Sequence, residues 1–123
     1  MSQAAESNLY FAAVITLYIE QPDTPMNASQ TDQVLARRLQ KEGVPMQTVE
    51  AAILLGSLRR LLRPKDAAPL SPIRSLAYFL PVIEELTQNP LPGNYLEYLR
   101  LKLQHTARAR GGAGQKTTFS DGR

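Results

Sequence analysis

The chain has no cysteine, no tryptophan and a single histidine in 123 residues. Without cysteine there are no disulfides, no thiolate metal sites and no cysteine nucleophile. The lone histidine, His105, falls on a basic helix near the end of the chain, where it reads as a surface residue. No apolar run approaches the ~18 residues of a membrane span. The opening Met1-Ser2-Gln3-Ala4-Ala5-Glu6 lacks the basic segment of a secretory signal. Paired acids for proton transfer are missing too: Glu84 and Glu85 are adjacent, so on a helix they diverge by about 100°. Asp23, Asp32 and Asp66 fall in loops or caps, where turn-making explains them. Gly111 to Gly114 lacks the lysine and hydroxyl residue that follow a phosphate cradle. These absences predict a non-enzymatic, cytoplasmic chain with no catalytic residue, no metal, no cofactor and no membrane partner.

Hydrophobic residues make up 43% of the chain and charged residues 20%. That balance excludes wholesale disorder and, at this length, predicts one domain with a core of its own. Apolar spacing makes it all-α, a bundle of four to five helices. Tyr10, Val14, Leu17 and Tyr18 form one stripe over residues 8–20, and Phe11, Ile15 and Ile19 a second. The β-branched and aromatic content of this segment would also suit a strand. Pro22 and Pro25 end it. Ser29 is positioned to cap a second helix with Asp32 at its positive end, and Gly43 stops that helix in the left-handed conformation.

A third helix over about 45–62 is apolar on nearly every face and therefore belongs at the centre. Gly56 within it costs ~1 kcal/mol against alanine, which predicts close approach by a neighbouring element. Ser71-Pro72 reads as the start of a fourth helix that runs to about Gln88 and is kinked or restarted at Pro81. Asn89 to Gly93 is a turn, and a fifth helix follows over about 93–108. The ends, 1–7 and the basic stretch 109–123, are expected to be flexible.

Charge is unevenly placed. Residues 1–56 hold three Lys/Arg against six Asp/Glu, and residues 57–123 hold eleven against five. Such a dipole suits a polyanionic partner or an acidic protein face. The cations concentrate at Arg59, Arg60, Arg63, Lys65 and Arg74, with Arg108, Arg110, Lys116 and Arg123 toward the end. Contacts of this kind bind phosphates with steep salt dependence. The alternative is that they complement the helix dipole and pair with Glu84 or Glu85. Tyr78, if half exposed beside Arg74, is placed to stack on a base, and Phe79 reads as core.

The segment Gly43-Val44-Pro45-Met46-Gln47-Thr48-Val49-Glu50 resembles the turn and second-helix opening of helix-turn-helix DNA-binding proteins. That resemblance implies that Gln47, Thr48 and Glu50 reach base edges or phosphates; a plain helical corner is the alternative. Over residues 43–86 the order Gly-Val-Pro, Val-Glu-Ala-Ala-Ile, Arg-Arg, then Ile-Arg-Ser-Leu-Ala-Tyr-Phe and Val-Ile is similar to the C-terminal helical domains of plasmid and phage replication initiators and DnaD-type helicase loaders. The resemblance implies binding to DNA, single- or double-stranded, or to a helicase or initiator partner. Two expectations follow. The first is a nucleic-acid-binding or replication-accessory protein of a bacterium, phage or mobile element. The second is a small helical protein–protein adaptor or subunit, an inhibitor of a nucleic-acid enzyme included, that buries its apolar first helix against a partner. A larger protein or a second copy of the chain is the partner expected.

Overall fold

The computed structural model describes residues 3–109, with side-chain surroundings from residue 8 onward. Arg110 and the rest of the expected tail lie outside the described residues. Five α-helices form an all-α bundle: α1 (Gln3–Ile19), α2 (Gln30–Lys41), α3 (Met46–Leu61), α4 (Leu80–Gln88) and α5 (Tyr95–Ala109), with a 3-10 turn at Leu76–Phe79 before α4. No strand occurs among the described residues. The first helix begins at Gln3 rather than near residue 8, and the last reaches Ala109.

The central strut is α3. It touches α1, α4, α5 and the 3-10 turn, and Val49, Ala51, Ala52, Ile53, Leu54 and Leu58 are buried. A helix contacted from so many directions can be apolar all round, which explains its lack of a polar face. The helical choice for α1 follows from the same packing. Val14 and Tyr18, four residues apart, are both fully buried, and Tyr10, Phe11 and Ile15 pack on the same core.

Both ends of α2 are explained by its residues. The Ser29 hydroxyl accepts from the Asp32 amide at 3.1 Å, and the Asp32 carboxylate accepts from the Ser29 amide at 3.0 Å. This reciprocal pair satisfies two amides that the first turn leaves without carbonyl partners. At the other end of α2, Gly43 has φ +82°, its N–H donates to the Gln40 carbonyl, and the Val44 N–H donates to the Leu39 carbonyl. The left-handed glycine closes the helix by the two hydrogen bonds of a Schellman motif.

The fourth helix differs from the expectation. Ser71-Pro72 does not start it; residues 69–75 have no helical structure. The Ile73 N–H donates to the Asp23 carbonyl at 2.8 Å, tying this crossing stretch to the loop after α1. Ser75 is extended, and the Leu76 N–H, which a helix from Ser71 would need, goes to the Asp32 carboxylate. Ser75 is the cap, its hydroxyl accepting from the Ala77 amide, and the α-helix begins only at Leu80. Pro81 therefore falls in the first turn, where no donor is needed: the helix restarts there, as one of the two expectations had it, and is not kinked.

Contacts give the helices their direction. The Tyr10 hydroxyl donates to the Val44 carbonyl just before α3 begins, at 2.8 Å, and Asp23 beyond α1 meets Arg60 in the last turn of α3. Thus α1 and α3 run the same way. Arg100 meets Glu50, and Leu103 lines a groove with Leu54, so α5 runs the same way again. The C-terminal ends of α1, α3 and α5 consequently gather at one end of the bundle.

Burial raises the phenols of Tyr10 and Tyr18 to about 12, with the Asp32 charge adding to the effect at Tyr18. A raised folded-state value means that the folded protein holds protons the unfolded chain has released. This contribution to stability is complete below about pH 10 and is lost as pH rises toward about 12. Denaturant midpoints measured across that range should fall with pH. Tyr10→Phe should reduce the fall and also cost about 1 kcal/mol at neutral pH for the lost hydrogen bond to Val44.

Candidate nucleic-acid interface

The arginines at the end of α3 divide into two kinds. Arg59 makes a two-pronged bond to Glu85 of α4, at 3.0 and 2.8 Å. Arg60 is turned inward, its side chain 8% exposed. It donates to Asp23 at 3.1 Å, to the Ser71 carbonyl at 2.9 Å and to the Tyr78 hydroxyl at 3.3 Å. Burial works against the Arg60 charge, but the bonds to Tyr78 and Asp23 outweigh it and hold the group above its ordinary range. Arg60 is thus a clamp that joins the loop after α1, the crossing segment and the 3-10 turn. Neither Arg59 nor Arg60 is a free cation of the kind the sequence suggested.

Glu85 is held below the usual carboxylate range by the hydrogen bonds and charge of Arg59. A lowered value places its contribution to stability above the unfolded value, and it is lost as pH falls. An NMR titration of the carboxylates should find Glu85 among the more acidic ones. Arg59→Ala should return it toward the ordinary range.

The second kind is unpaired. Arg63, Lys65 and Arg74 have no carboxylate within ion-pair distance among the described residues. Arg63 donates to the Ala68 carbonyl at 2.6 Å, a neutral acceptor that leaves its charge uncompensated. These residues follow one another along the segment that Arg60 fastens down. Tyr78, 42% exposed, lies under the Arg60 guanidinium at 5.4 Å from the ring centre and edge-on to Phe79 at 5.1 Å. Its ring is half available, as expected, but its cation is Arg60 rather than Arg74. Arg108 stands near the end of α5 and lines a groove with Pro22, which in turn lines a cavity with Arg60.

Gln47 and Thr48 are not part of this arrangement. They occupy the first turn of α3, roughly 18 Å along the helix from Arg60. There they line a cleft of about 360 Å³ with Pro90, Leu91 and Leu96 from the turn before α5 and its first residues. Glu50 is taken by Arg100. From Val49 onward α3 is largely buried, so only its first turn, after the Gly43 corner that joins it to α2, stands toward the surface.

Sequence reasoning missed Asp23. Its positive φ of 66° and its position between two prolines mark a fixed turn, and it aims one carboxylate at the cation that holds the basic segment in place. No group of three or more metal-ligating side chains occurs among the described residues, and none of their helices is long and apolar enough to cross a membrane. No family model, curated protein or solved structure matches the chain.

Proposed function

We propose that this domain is a non-enzymatic nucleic-acid-binding module, with DNA as its partner, serving in replication as its likeness to initiator and helicase-loader domains suggests. Phosphates are contacted at the end of the bundle where α3 stops. The observation that carries this reading is the sorting of the cations: Arg59 and Arg60 are spent on carboxylates, while Arg63, Lys65 and Arg74 remain uncompensated on one anchored segment. The half-exposed Tyr78 ring, held by Arg60, offers a stacking surface, and stacking on an aromatic is tolerant of base identity.

Fluorescence anisotropy with a labelled oligonucleotide at several salt concentrations tests it. Affinity should fall steeply with salt, and alanine at Arg63, Lys65 or Arg74 should lower the salt slope by about one each. Arg59→Ala should leave the slope unchanged. A flat salt response, or equal slopes in all four variants, would remove the proposal.

One observation favours the adaptor reading as a second choice. An open groove of about 990 Å³ separates the C-terminal parts of α1 and α5, walled by Leu17, Ile19, Met26 and Leu103 and floored by Leu54. The first helix itself supports that reading less than its sequence implied, since Val14 and Tyr18 are already covered within the bundle.

A further inference from the structure

The cavity beneath the loop that follows α3 has a volume of about 310 Å³ and is lined by Ser57, Arg60, Arg63, Lys65 and Asp23, among others. Three cations thus surround it against one carboxylate, and that carboxylate is already bound to Arg60. Ser57 is the unusual member. It is 2% exposed and its hydroxyl has no hydrogen-bond partner. Buried hydroxyls are ordinarily satisfied, so an unpaired one lining a basic cavity marks a place for an acceptor from outside the chain. It lies one turn before Arg60 and therefore on the same side of α3.

We propose that this cavity binds a phosphate group, with the Ser57 hydroxyl donating to one oxygen and Arg63 and Lys65 closing over the others from the loop. Arg60 frames the site while keeping its bonds to Asp23 and Ser71. The volume is at the small end for ligand sites, enough for a phosphate or pyrophosphate and part of a sugar. Both a terminal phosphate of a nucleic acid and a free phosphorylated small molecule present the same oxygens. The inference deepens the nucleic-acid reading by naming the group that is held, and it rests on that reading only for the first of these sources.

Calorimetric titration of the full chain with inorganic pyrophosphate tests the site itself. Binding should weaken about tenfold in Ser57→Ala, a change that removes one oxygen atom, and should disappear in the Arg63→Ala/Lys65→Ala double variant. Circular dichroism of each variant checks that the helices are intact. Anisotropy with one oligonucleotide carrying either a 5′-phosphate or a 5′-hydroxyl distinguishes the sources. Tighter binding of the phosphorylated form, lost in Ser57→Ala, assigns the site to a nucleic-acid end. Indifference to the end group, with pyrophosphate binding still dependent on Ser57, assigns it to a free phosphorylated molecule. Pyrophosphate that fails to bind, or binds the variants as tightly as the natural chain, overturns the site. Salt-dependent oligonucleotide binding would then stand by itself.

Discussion

Asp32→Ala should destabilise the domain by about 2–4 kcal/mol, among the largest losses available from a single polar side chain here. The reason is that this carboxylate, fully buried, serves two helix starts at once. One oxygen accepts from the Ser29 amide at 3.0 Å and so completes the cap of α2. The other accepts from the Leu76 amide at 2.9 Å and the Ser75 hydroxyl at 3.3 Å, fixing the turn that leads into α4. Removing one cap ordinarily costs about 1 kcal/mol, and a buried amide left unpaired costs about 1–3 kcal/mol more. For a domain of this size the melting temperature should drop by roughly 10 °C or more. Asp32→Asn keeps one acceptor oxygen and should fall between the two. Thermal unfolding followed by circular dichroism measures both, and a melting temperature unchanged in Asp32→Ala would show that the junction is not held in this way.

Asp32 also marks where sequence reading stops. Its place three residues after Ser29 makes it legible as a partner in the α2 cap, because capping is a local matter of spacing. Its second oxygen crosses to Leu76, a partner 44 residues away that no spacing rule connects. The same division runs through the fold and the site. The five helical segments, the stop at Gly43 and the close approach at Gly56 are written in local pattern. The start of α4 is not, because the Leu76 amide, which a helix opened at Ser71 would turn to the Pro72 carbonyl, is taken by the distant Asp32 carboxylate, and Ser75 is extended. For the basic cluster, composition revealed the arginines but not their partners. Arg59 finds Glu85, as the pairing alternative allowed, and Arg60 finds Asp23 across 37 residues. Which cations remain for an outside partner is thus a property of the folded arrangement.

The second large effect is expected at Gly56, and its sign should depend on Phe79. A Cβ at Gly56 would lie 2.8 and 2.9 Å from two carbon atoms of the Phe79 ring. That ring cannot easily yield, being fully buried and set edge-on to Tyr18 at 6.3 Å between ring centres. Overpacking of this kind costs about 1–3 kcal/mol or more, against a gain of about 1 kcal/mol for replacing a mid-helix glycine by alanine. Gly56→Ala should therefore be destabilising by about 1–2 kcal/mol, and Gly56→Val by more. Phe79→Ala alone should cost about 3–5 kcal/mol through the cavity it leaves. Phe79→Leu is milder and makes the useful background. With the ring gone, the alanine methyl at position 56 has room, so Gly56→Ala should turn neutral or stabilising there. A double-mutant cycle read from urea midpoints would then give a coupling of about 1 kcal/mol or more. Additive effects would mean that the ring and the glycine do not meet. In that case the helix would carry its glycine for a reason other than the packing that joins α3 to the segment bearing Tyr78.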